Sequence, residues 1–223
     1  MVRKQYQTQL DELRDDVLYM SEVVAERLRM ALDALEQQDA ELGEEVITGD
    51  AEINEMYLEL EQDCIDLIAL QQPVAGDLRF IAASFKIITD LERIADLATN
   101  LGEYAGEAHQ EVFPDVDIQL IGDETLDMLE ISMDAYHTEN ADLGYEVAER
   151  DDKVDELCES ASEAVVRDLI QTEELDEGNV QATMRDVSRL LLTIRDLERV
   201  GDHAVNIAAR AVYMITNDDD LLY

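Results

Sequence analysis

An eleven-residue segment occurs twice in this chain, and it constrains the fold more than any other feature of the sequence. Residues 90–100 read DLERIADLATN, and residues 196–206 read DLERVGDHAVN, 106 positions later, with seven of the eleven positions identical. Apolar residues in and around both copies recur at spacings of three, four and seven, which is the period of a helix with one buried side. Both segments are therefore predicted to lie on long helices that face a core.

Each copy of the segment also carries two carboxylates, four residues apart. The pairs are Glu92 with Asp96, and Glu198 with Asp202. Because each residue turns a helix by about 100°, the members of a pair lie on one flank, beside the apolar stripe. Like charges at this spacing repel each other by about 0.2–0.5 kcal/mol. The pattern favours a cation bound between the carboxylates, although a solvated acidic helix face would produce such pairs by chance.

The charge of the chain is extreme and negative. It has 55 acidic and 16 basic residues, only three of them lysine, for a net charge of −39. The acids are spread along all the predicted helices, which indicates a folded, solvated surface and not a disordered acidic tail. Such a surface repels itself unless salt screens it, and this composition is typical of a cytoplasmic protein from an extreme halophile. With no basic patch to neutralise phosphates, nucleic acid is not expected as a partner.

The composition predicts an all-α protein. With 47% hydrophobic residues the chain can bury a core, while nine glycines, two prolines and no tryptophan argue against a β-sandwich. Six helices are predicted, at about residues 4–38, 40–71, 73–108, 117–138, 140–171 and 180–216. Pro73 is expected in the first turn of the third helix, where its missing N–H is harmless. Asn179 is expected to cap the start of the sixth.

A second echo shows that the duplication extends beyond the eleven-residue segment. Residues 39–46 read DAELGEEV and residues 140–147 read NADLGYEV, 101 positions apart. The chain is therefore predicted to be a tandem duplication of two three-helix bundles related by a pseudo-two-fold axis. The expected parts are a first repeat at 1–109, a linker at 110–116, a second repeat at 117–217 and a frayed tail at 218–223. No membrane span and no signal peptide is expected.

Three motifs together resemble those of one family. They are QPVAGDLR at residues 72–79, the two LER-[IV]-[AG]-D segments, and GDHAVNIA at residues 201–208. In this order, within a duplicated three-helix unit, they are similar to the PhoU family of phosphate-uptake regulators along essentially the whole chain. The resemblance implies metal clusters on the bundle surface, held by the two Glu-x-x-x-Asp pairs. Because only the second copy keeps the Gly-Asp-His-Ala pattern, we expect fuller occupancy there.

Two carboxylates on one helix cannot complete the coordination shell of a metal, so the second helix of each repeat is searched for further ligands. The candidates are Asp50, Asn54, Glu55, Asp151, Asp155 and Glu156. Their oxygen donors suit hard cations, and the metal is expected to be divalent or trivalent (Fe, Mn, Mg, Zn or Ca). Arg93 and Arg199 follow the two glutamates. They are candidates for contacts with a partner or with phosphate, or for pairing with the surplus carboxylates.

The resemblance implies a non-enzymatic function. The chain would be an adaptor that restrains phosphate uptake by the phosphate ABC transporter, through its ATPase subunit, and would report to a sensor kinase where one exists. It would be a cytoplasmic homodimer, peripheral at the inner face of the membrane. The alternatives are a regulator of another transporter or of polyphosphate handling, and a metal-dependent phosphohydrolase. No P-loop, GxSxG or Glu-x-x-His motif supports a catalyst.

Overall fold

The computed structural model describes residues 2–71, 73–106, 116–171, 177–218 and 221. Within these ranges the chain forms six long helices and no strand, so the prediction of an all-α fold is confirmed. The helices are α1 Val2–Gln37, α2 Ala40–Gln71, α3 Ala75–Gly106, α4 Ile118–Thr138, α5 Ala141–Gln171 and α6 Glu177–Thr216. None of the described helices is both long enough and apolar enough to cross a membrane.

Two predicted helix starts are wrong. Helix α3 begins at Ala75, and the carbonyl of Val74 accepts the first helical bond, so Pro73 precedes the first turn instead of lying in it. Helix α6 begins at Glu177, so Asn179 lies inside the helix and is not its cap. The sequence reasoning ended the loop at Gly178, but one glycine costs a helix only about 1 kcal/mol and does not stop it.

The predicted boundaries between the repeats remain a prediction. Residues 110–115 of the predicted linker lie outside the described residues, and so does most of the predicted tail at 218–223. The described chain resumes at Val116, just before α4.

The echo between residues 39–46 and 140–147 is a repeated helix–turn–helix. Gln38 and Glu139 both adopt left-handed backbone conformations, with φ of 52°, and end α1 and α4. The carboxylate of Asp39 then accepts hydrogen bonds from two backbone N–H groups in the first turn of α2, at 2.9 and 3.1 Å. The side-chain oxygen of Asn140 accepts one from Asp142 in α5, at 3.1 Å. Both turns thus use a left-handed stop followed by a side-chain cap.

The six helices pack as two three-helix bundles with one shared core. Helices α1, α2 and α3 form the first bundle and α4, α5 and α6 the second, and the bundles meet where α3 packs against α6 and α1 against α4. The predicted apolar stripe is buried in both copies. Its residues are Ile81, Ile88, Leu91, Ala95, Ala98, Val187, Ile194, Leu197, Gly201 and Ala204. The two copies of the repeated segment therefore lie on the helices that join the bundles.

Close backbone contact between α2 and α3 makes a testable demand on Gly43. A methyl group added there would lie 2.5 Å from the carbonyl oxygen of Gly102. We expect Gly43→Ala to lower the free energy of unfolding by roughly 1–3 kcal/mol through overpacking, although alanine ordinarily favours a helix. Gly76→Ala is the matched control, because no atom lies within 4 Å of the added methyl. Denaturant unfolding in molar salt, followed by circular dichroism, compares them. Equal stability of the two variants would contradict the close approach.

Candidate metal centre

Four carboxylates meet where α5 packs against α6, and we call them the second acidic cluster. Helix α5 contributes Asp151 and Asp155, and α6 contributes Glu198 and Asp202. Burial, followed by the charges of Asp155 and Asp202, raises the pKa of Asp151 from 3.8 to about 6. The pKa values of Glu198 and Asp202 are also raised, first by burial and then by Asp155. Each carboxylate thus makes it harder for its neighbours to ionise.

The equivalent place in the first repeat holds three carboxylates, the first acidic cluster. They are Asp50 from α2 and Glu92 and Asp96 from α3. Burial and then the charge of Asp96 raise the pKa of both Asp50 and Glu92. Unlike the second cluster, this one has close polar partners. Asn54 donates to Asp50 at 2.6 Å. Arg93 pairs with Asp96 at 3.1 Å and with Glu92 at 3.4 Å.

The packing of the helices brings together most, but not all, of the candidate ligands. Asp50 with Asn54, and Asp151 with Asp155, lie beside the two Glu-x-x-x-Asp pairs, as the spacing suggested. Glu55 and Glu156 are exposed, and no interaction places them in either cluster.

The donor atoms of both clusters are anionic oxygens, which fit a hard cation such as Mg²⁺, Mn²⁺, Ca²⁺ or iron. The arrangement itself is not a closed cage. Among the residues that the structure describes, no three His, Cys, Asp or Glu side chains are placed to hold a metal ion. The fit to a metal therefore lies in the charge and chemistry of the donors, and the metal site remains a prediction.

The sequence reasoning assigned no role to Asp196, the first residue of the second copy. Its side chain is 0% exposed, between α3 and α6. From α3, Asn100 donates to it at 3.3 Å and the hydroxyl of Tyr104 at 3.0 Å. Burial and this bond raise the pKa of Tyr104 to about 12, so its hydroxyl stays protonated and donates. Two cations of α6 pair with the same carboxylate, Arg195 at 3.0 Å and Arg199 at 3.6 Å.

Asp90, the first residue of the first copy, makes the reciprocal contact. Its carboxylate accepts from Asn206 of α6 at 3.4 Å and contacts Nδ1 of His203 at 2.8 Å. The first Asp of each copy thus meets the last Asn of the other copy across the bundle interface. We call Asp90–Asn206 and Asp196–Asn100 the cross-bundle pairs. The signal was present in the sequence, since both ends of the repeated segment are identical.

The comparisons with known proteins match this architecture repeat by repeat. The family model described as the PhoU domain matches residues 17–105 and again residues 118–211, one match in each bundle. The chain belongs to the PhoU domain family. The resemblance inferred from the three motifs is therefore confirmed.

Similar proteins cover nearly the whole chain. The phosphate-specific transport system accessory protein PhoU homolog of Clostridium acetobutylicum is 34% identical over 221 residues, which is 97% of this chain and 96% of that protein. The PhoU homolog 1 of Methanothermobacter thermautotrophicus is 36% identical over 214 residues, or 95% and 94%. The crystal structure of PhoU from Pseudomonas aeruginosa superimposes with a TM-score of 0.88 at 29% identity, covering 96% of this chain and all of that one. The two-bundle PhoU fold is confirmed.

The raised pKa of Asp151 predicts how the stability of this PhoU domain pair depends on pH. The folded chain binds a proton at Asp151 more tightly than the unfolded chain does, with pKa values of about 6 and 3.8. The contribution of Asp151 to stability therefore increases as the pH falls from about 7 to about 4. We expect Asp151→Asn to stabilise the chelator-treated protein at neutral pH, with a gain that shrinks as the pH falls. Unfolding curves at several pH values measure the difference, and a gain that is constant with pH would contradict this.

Proposed function

We propose that this chain is a non-enzymatic accessory protein that regulates phosphate-specific transport. The observation that carries the proposal is the alignment of both bundles, over 97% of the chain, with a relative named as an accessory protein of that system. The same name recurs in relatives from distant organisms, including Escherichia coli at 31% identity over 96% of the chain. Because almost all of each relative is covered, the role of the whole protein is the one proposed here.

The proposed action is restraint of uptake by an adaptor. The chain binds the ATPase subunit of a phosphate ABC transporter at the cytoplasmic face of the membrane, acts as a homodimer, and reports phosphate sufficiency to a sensor kinase where the cell has one. With a net charge of −39 on the chain, the partner surfaces that face it are expected to be less acidic or basic, since electrostatic complementarity selects partners.

Metal binding at the two acidic clusters is part of the proposal. The first cluster would use Glu92 and Asp96 with Asp50, and the second would use all four of its carboxylates. A bound divalent or trivalent cation would neutralise the repulsion that raises their pKa values, and so tie α2 to α3 and α5 to α6. Arg93 and Arg199 both form ion pairs with carboxylates of their own helices. Those ion pairs favour pairing over contacts with a partner for these two arginines.

A binding experiment and an uptake experiment test the transport role. In molar potassium chloride, the immobilised chain should retain the phosphate-transporter ATPase subunit from the same genome. The ATPase subunit of an unrelated importer from that genome is the control. A strain lacking the gene should accumulate more labelled phosphate than its parent, and the intact gene should reverse this. Uptake that is unchanged by deletion, together with no retention of the phosphate-transporter subunit, would overturn the proposal.

A phosphatase assay separates the adaptor from a metal-dependent hydrolase. Purified protein supplied with Mn²⁺ should release no phosphate from p-nitrophenyl phosphate or from polyphosphate. Glu198→Gln is the diagnostic variant. Turnover by the wild type that disappears in Glu198→Gln would establish catalysis at the second cluster and overturn the non-enzymatic assignment.

A further inference from the structure

The arginine that follows the glutamate in each repeat has different partners in the two repeats. Arg93 bridges both carboxylates of its own Glu-x-x-x-Asp pair, Asp96 at 3.1 Å and Glu92 at 3.4 Å. Arg199, at the equivalent position, pairs with Asp196 at 3.6 Å. Within the described residues, no ion pair reaches any carboxylate of the second acidic cluster. One repeat therefore has an internal counter-ion for its cluster, and the other does not.

Asp196 can hold Arg199 because its carboxylate is anchored. It is fully buried, and Asn100 and Tyr104 of the opposite bundle donate to it. A buried carboxylate is strongly destabilising unless cations and donors compensate for its lost hydration, so it retains its arginines. Asp90 is compensated differently, by His203 and Asn206.

A second difference between the repeats increases the contrast. Asn54 donates to Asp50 in the first repeat, and the equivalent residue in the second repeat, 101 positions later, is Asp155. Where the first cluster has a neutral amide that satisfies its neighbour, the second has another negative charge. That charge is the first-ranked electrostatic influence on the pKa of Asp151, Glu198 and Asp202 alike.

We propose that Asp196 is a positioning residue for the second acidic cluster. By holding Arg199 in the bundle interface, it leaves four carboxylates for a divalent cation, whereas Arg93 serves as the counter-ion of the first cluster. The second cluster consequently binds the cation more tightly than the first. Arg199 is close enough to lower the pKa of Asp202, so once released from Asp196 it can turn to the cluster and compete with the cation. This inference rests on the proposed metal binding.

Titration with Mn²⁺ alone, followed by calorimetry in molar potassium chloride, tests the role of Asp196. The second cluster is isolated in a chain that carries Glu92→Gln and Asp96→Asn. In that background, Asp196→Asn should weaken Mn²⁺ binding by about tenfold, because it releases a positive charge next to the ion. Adding Arg199→Gln should restore the affinity, since the competing charge is then gone. Circular dichroism confirms that each variant is folded.

The first cluster provides an independent arm that does not disturb the buried carboxylate. In a chain carrying Glu198→Gln and Asp202→Asn, Arg93→Gln should strengthen Mn²⁺ binding by about tenfold, because it removes the resident counter-ion. This arm decides the matter if Asp196→Asn does not fold.

The outcomes separate this inference from the metal proposal beneath it. If neither isolated cluster binds Mn²⁺, metal binding itself is overturned, and the role of Asp196 with it. If Mn²⁺ binds but Asp196→Asn has no effect, or Arg199→Gln does not restore what Asp196→Asn loses, metal binding stands and the positioning role is overturned. If Asp196→Asn does not fold, an affinity of the first cluster that is unchanged by Arg93→Gln overturns the inference.

Discussion

In dilute buffer this chain should lose most of its helical structure, and it should regain it in molar potassium chloride. The cause is its net charge of −39. The distance over which charges act shrinks from about 30 Å at 0.01 M salt to about 3 Å at 1 M. Repulsion between helices then falls from long range to contact range, while the buried apolar core is unchanged. Circular dichroism across a salt titration measures this, and an unchanged melting temperature in dilute buffer would refute it.

Single neutral substitutions show where the repulsion acts. Asp63 of α2 has a raised pKa because of burial and, next, the charges of Asp16 and Asp66. Asp63→Asn should therefore raise the melting temperature more in low salt than in molar salt. Glu146 is the matched control, because it pairs with Arg150 at 3.2 Å, and Glu146→Gln should give no such gain. An equal gain from both substitutions would show that only the total charge matters and not its placement.

Replacing Asp196 by alanine should be among the most destabilising single changes in the bundle interface. Tyr104 and Asn100 would lose their acceptor in a buried place, which costs about 1–3 kcal/mol for each donor left unsatisfied. We expect a total loss of about 2–4 kcal/mol. Arg195 and Arg199 are partly exposed and can turn to solvent, so they add little. Denaturant unfolding in molar salt measures the change.

Asp90→Ala is the matched control for that prediction, since Asp90 has the equivalent position in the first repeat. Its side chain is 17% exposed, so water can replace part of what His203 and Asn206 lose, and we expect a loss of about 1 kcal/mol. A loss at Asp90 as large as that at Asp196 would show that burial is not what distinguishes the two positions.

Most of the fold could be predicted from the sequence, because it depends on short-range patterns. The apolar stripe through Leu91 and Leu197 recurs at helical spacing, and a stripe of that period must be buried whatever the neighbours are. The duplication itself implied two equivalent bundles. The errors at Pro73 and Asn179 concern helix ends, where capping, a glycine and the loop compete within a few tenths to about 1 kcal/mol.

The candidate carboxylates could also be predicted, because Glu92 with Asp96 and Glu198 with Asp202 share a flank on any helix. The acids of the neighbouring helix were only partly separable. Helical spacing put Asp151, Asp155 and Glu156 on the same helix, but the packing of α5 on α6 brings the first two to the cluster and leaves Glu156 exposed. That selection depends on how each helix is rotated about its axis, which a one-dimensional pattern does not contain.

The sequence by itself determined an all-α, duplicated chain with two acidic pairs, since helical period and repetition are properties of the order of residues. Only the tertiary structure decided which charges meet. The identical Arg93 and Arg199 have different partners, because Asp196 is fully buried against Tyr104 while Asp90 is compensated by His203. The physical reason is that the strength of an ion pair is set by distance and by exclusion of water, and both quantities exist only after the two bundles have packed together.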